Sequence, residues 1–62
     1  MTAGDALRTA ELLHHNGYLD SDTVTHNDID TAADLAGAGR PNTPTDRDAV
    51  RIALDVLTQH NA

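Results

Sequence analysis

Nine consecutive residues, Ala49 to Leu57, constrain the fold more than any other part of the chain. Seven of the nine are apolar, and only Arg51 and Asp55 interrupt the run. At about 100° per residue the apolar side chains sweep an arc of roughly 200°, wider than the stripe a surface helix needs. A helix of this kind is either covered on both flanks by the rest of its domain or turns part of its surface toward another molecule. The chain that must cover it has 62 residues, enough for one small helical domain spanning 1–62 and a thin core. Tyr18 is the sole aromatic residue, and there is no Trp, Phe or Cys. A deep substrate pocket in addition to a core is therefore not expected. Disulfides and thiolate metal sites are excluded.

Helix punctuation divides the chain into three. Thr2 followed by Asp5 reads as a cap and its partner, and Gly17 as a stop, which predicts a first helix over about 3–16. Ala3, Ala6, Leu7, Ala10 and Leu13 share its apolar face. Leu12 points nearly opposite, either covered by a loop, singly exposed, or touching a partner. Thr25 and Asp28 repeat the capping device and predict a second helix over about 26–36, with Ile29, Ala32, Ala33 and Ala36 inward. Between these helices, Tyr18, Leu19 and Val24 are expected to tuck under the bundle edge. Thr45 with Asp48 opens a third helix over about 45–60. The expected fold is all-α, a small three-helix bundle. Ala49, Val50, Ala53 and Leu57 are assigned to its core, and Ile52 and Val56 to a partner or a second copy.

Charge narrows the functions. The formal net charge is −6, with ten acids, four arginines and no lysine. Such a chain is repelled by duplex DNA as a whole, although one face could still be basic. No apolar run approaches the ~20 residues of a membrane span, and no basic, apolar leader opens the sequence, so a cytoplasmic protein is expected. The excess of Ala, Thr, Asp, Gly and Arg resembles, in composition alone, small accessory proteins of actinobacteria and actinobacteriophages. That resemblance implies a host cytoplasm if the chain is phage-encoded, with a host protein as candidate partner.

The chemistry-bearing patterns are sparse. Asp20 and Asp22 begin like a calcium loop, but Val24, Thr25 and Thr31 stand where that loop needs a ligand, a glycine and a bidentate glutamate. His14 and His15 diverge on a helix. A site combining either of them with His26 and an aspartate is conceivable but matches no zinc spacing. Ser21 lacks a nucleophile elbow, and "GAGRP" lacks the lysine and the preceding strand of a phosphate loop. No catalytic residue, metal site or cofactor is assigned, and the chain is read as non-enzymatic.

"AADLAGAG", Ala32 to Gly39, resembles the first half of a lac-repressor-type helix-turn-helix. That resemblance implies a DNA-reading helix immediately afterwards, served by Arg40, Arg47 and Arg51. Here Pro41 and Pro44 follow instead, then Asp46 and Asp48, which repel phosphate. The favoured function is a small interaction protein that binds a partner protein, itself, or both through the apolar face of the third helix, with Leu12, Ile52, Val56 and Asp55 as contact residues. A helix-turn-helix-like DNA-binding regulator is the first alternative. An acidic DNA mimic built on Asp20, Asp22, Asp28, Asp30 and Asp34 is the second.

Overall fold

The computed structural model describes residues 1–39 and 41–60. Three helices carry the fold: α1 (Ala3–His15), α2 (His26–Leu35) and α3 (Pro44–His60), with a single 3-10 turn over Ser21–Thr23. There is no strand among the described residues. The chain is the expected all-α three-helix bundle, about 30 Å long.

Helices α1 and α2 are framed in the same way. The Asp5 amide donates to Thr2 Oγ1 at 3.1 Å while the Thr2 amide donates back to Asp5 Oδ2 at 3.3 Å. Thr25 and Asp28 repeat the exchange at 3.0 and 3.2 Å. Each box satisfies two amides that the first turn leaves without partners. The exits also match. The Gly17 amide donates to His14 O and the Tyr18 amide to Leu13 O, with Gly17 at φ 101°. The Gly37 amide donates to Asp34 O and the Ala38 amide to Ala33 O, with Gly37 at φ 68°. Both are Schellman stops, which place a residue in the left-handed region where glycine meets no Cβ penalty. The stretch that resembled the start of a DNA-reading motif is therefore a helix terminus closed by its own carbonyls.

The start of α3 departs from the expectation of Thr45 as cap. Thr43 is the cap, its Oγ1 accepting from the Asp46 amide at 3.2 Å, and Asp46 Oδ2 accepts from the Asn42 amide at 3.2 Å. Pro44 is the first helical residue, where its fixed φ suits the helix and its missing N–H is not needed. The preceding loop is anchored from inside: Ala38 and Pro41 are buried.

The core is Ala6, Ala10, Leu13, Val24, Ile29, Ala32, Val50 and Leu54, with Leu12, Tyr18, Ala49, Ala53 and Leu57 half-buried against it. One residue of α1 leaves its expected place, and another that carried no assignment is buried. Leu7 is 43% exposed, and Thr9 is fully buried. Thr9 tolerates burial because its hydroxyl donates to Asp5 O, one turn back, at 2.8 Å. Leu19, expected under the bundle edge, is 68% exposed, whereas Val24 is buried. Helix α1 packs against both other helices, while α2 and α3 meet only sparsely. The alanines of α1 permit this close double approach. The helix with the widest apolar arc is thus not the central one, and the part of that arc at Ile52 and Val56 stays exposed.

Candidate functional site

The uncovered part of that arc is the candidate site. Ile52 is 64% exposed and Val56 47%, in a helix whose Val50 and Leu54 are completely buried. One helical turn separates Ile52 from Val56, so their side chains stand one above the other on the outer face. Asp48 precedes this pair by four residues and His60 follows it by four, both exposed and both in α3. Half-buried Ala49 lies beside them.

The remaining residues assigned to binding have structural partners. Leu12 is half-buried against the core. Asp55 accepts from the Ser21 amide at 3.1 Å and from the Ser21 hydroxyl at 3.0 Å. Arg51 Nη1 donates to the carbonyls of Ser21 and Val24, both at 2.7 Å. Arg51 and Asp55, four residues apart on α3, clasp the two ends of the 3-10 turn onto that helix. Arg47 donates to Pro41 O at 3.2 Å and faces Asp30 at 3.5 Å, tying α3 to its own entry loop and to α2. Arg40 lies outside the described residues.

The acidic residues are mostly engaged as well. Asp5, Asp28 and Asp46 serve helix starts, Asp20 accepts from the Thr23 amide at 3.1 Å, Asp30 faces Arg47 of α3, and Asp55 of α3 holds Ser21. Backbone donation from Thr2 holds the Asp5 carboxyl below the usual carboxylate range, and Thr25 does the same for Asp28. Asp28 also stands beside Tyr18 and raises its phenol above the ordinary value.

Tyr18 and Asp28 belong to the rim of a shallow cleft of about 240 Å³ between the end of α1 and α2. Leu13, Ala32 and Leu35 supply its apolar surface, and Asn16, Asn27 and Thr31 its polar surface. Among the described residues no three His, Cys, Asp or Glu side chains are grouped closely enough to hold a metal ion. No helix among them is long and apolar enough to cross a membrane. No family model, curated protein or solved structure matches the chain.

Proposed function

We propose that the chain is a small non-enzymatic interaction protein that binds a protein partner through the outer face of α3. The observation that carries this reading is the exposure of Ile52 and Val56 on adjacent turns. Covering an isoleucine fully is worth about 1.5–3 kcal/mol, and most of that gain remains available at Ile52. Engagement of Arg47 and Arg51 by backbone carbonyls supports the same reading over a DNA-binding regulator, since both guanidiniums are partly buried and held against the domain rather than extended from its surface. A DNA mimic needs a regular array of free carboxylates, and capping and pairing occupy most of them. The composition, which resembles that of small actinobacterial or actinobacteriophage accessory proteins, supports a cytoplasmic setting, the host's if the chain is phage-encoded.

The test is a photo-reactive side chain introduced at Ile52 in living cells, with the same group at exposed Glu11 on α1 as control. Discrete adducts from position 52, to another protein or to the chain itself, with none from position 11, are the expected outcome. Absence of any adduct at 52 refutes the reading.

A further inference from the structure

We propose that the occupant of the outer face of α3 is a second copy of the chain, packed antiparallel along the same helix. The inference rests on the interaction reading above and names its partner. Asp48, Ile52, Val56 and His60 recur every fourth residue, and so form one continuous ridge of α3. All four are exposed. Read in either direction, the ridge has a charged or polar end, two apolar residues, and an end of complementary character. A two-fold axis at the level of Leu54 sets Ile52 of one copy against Val56 of the other. The same axis sets Asp48 against His60 at both ends of the contact. That is the arrangement an isologous interface demands, residue i meeting j and j meeting i. A parallel pairing would instead oppose Asp48 to Asp48, and it would align the two helix dipoles unfavourably.

The state of the two end residues supports this. Asp48 is one of only two aspartates, with Asp22, that make no hydrogen bond or ion pair among the described residues. The His60 side chain is likewise without such a partner among them. Within one chain they cannot meet, because twelve residues of helix separate them by about 18 Å. In the antiparallel pair each finds a partner on the other copy. Ala49, small and beside the ridge, lets the helices approach closely. Ridges spaced by four interdigitate at a crossing of about −50°. A standard interface covers about 800 Å² of each partner, roughly a fifth of the 3799 Å² this chain exposes. A single helix face reaches only the lower end of that scale, so the dimer is a weak one that forms at high concentration.

The experiment is analytical ultracentrifugation of the full chain across a concentration series up to the millimolar range, with circular dichroism confirming helicity for every variant. The wild type is expected to dimerise reversibly, and Ile52→Asp to remain helical and monomeric. Asp48→Lys and His60→Glu should each weaken association by about five- to ten-fold, because the symmetry doubles every pairwise loss. The double variant, with the charges exchanged, should return to within about two-fold of the wild type. Only contact between copies can produce that rescue. Dimerisation without rescue overturns the antiparallel register. A strict monomer whose position 52 still forms adducts with another protein overturns self-association and leaves the interaction reading standing. A strict monomer with no adduct from position 52 overturns both.

Discussion

Replacing Arg51 by methionine tests the clasp on the 3-10 turn, and with it the choice between a structural and a nucleic-acid role for that residue. Methionine keeps an unbranched apolar stem and good helix propensity but removes the donor. The Arg51 guanidinium donates to Ser21 O and Val24 O at 2.7 Å from one half-buried nitrogen. Hydrogen bonds from a charged donor contribute about 1.5–3 kcal/mol each when fully desolvated, so two sharing one partly solvated nitrogen should sum to about 2 kcal/mol. At about 0.05–0.15 kcal/mol per residue a domain of this length has a total stability of about 3–9 kcal/mol. The loss is thus a substantial fraction. Melting followed by circular dichroism should fall by about 8–16 °C, at about 4–8 °C per kcal/mol. Asp55→Ala, which frees the Ser21 amide and hydroxyl, should also destabilise. Because both side chains hold one segment, the double variant should lose less than the sum of the singles. A change in melting temperature under about 3 °C for Arg51→Met would refute the clasp. Retention of random duplex DNA by the wild type at low salt, abolished in Arg51→Met without loss of stability, would assign that arginine to phosphate instead.

Three further outcomes follow from the same geometry. Thr43→Ala should lower stability by about 0.5–2 kcal/mol in urea titrations and Thr45→Ala by under about 0.5 kcal/mol, and the reverse order would restore Thr45 as the cap. Leu54→Ala should cost about 2–5 kcal/mol by the same measurement, whereas Leu7→Ala should cost under about 1 kcal/mol; comparable losses would contradict the assigned faces. Asp5 and Asp28 have folded values below their ordinary 3.8, so their contribution is complete above that value and is lost as pH falls through the lower folded values. Tyr18 is raised above its ordinary 10.0, so its contribution is complete below that value and is lost as pH rises beyond it. Urea midpoints should therefore hold a plateau between the two limits and drop below about pH 4, and a midpoint that rises on acidification would overturn this account.

The helices and their order were readable because capping and stop signals are local. A threonine with an aspartate three residues on, and a glycine after the last turn, act within a few residues of themselves. The third start was ambiguous because Thr43–Asp46 and Thr45–Asp48 both carry that spacing. Burial of Pro41 and the fitness of Pro44 for the first helical position decide between them, and the burial depends on tertiary packing. The burial of Thr9 was hidden for a different reason. A hydropathy wheel ranks threonine as polar, but a hydroxyl bonded to the preceding turn behaves as a small branched apolar group. The width of the arc showed that part of it needed cover from elsewhere, but which part stayed exposed, Ile52 and Val56, was set by how α1 packs against Val50 and Leu54. The clasp did not, because Arg51 and Asp55 find their partners some thirty residues away and sequence spacing carries no trace of that contact.

The matched framing of α1 and α2 also sets where the chain can change in length. With a threonine box at one end and a left-handed glycine at the other, each helix is ruled off at both margins. Removing one residue inside α1 would turn everything beyond the gap by about 100°, carrying Leu13 off the core while Gly17 still had to fall at the stop. Neither end can slip to absorb the error. Length variation in relatives of this chain should therefore collect around Leu19, between the two framed helices, and leave the thirteen residues of α1 and the ten of α2 unaltered in number.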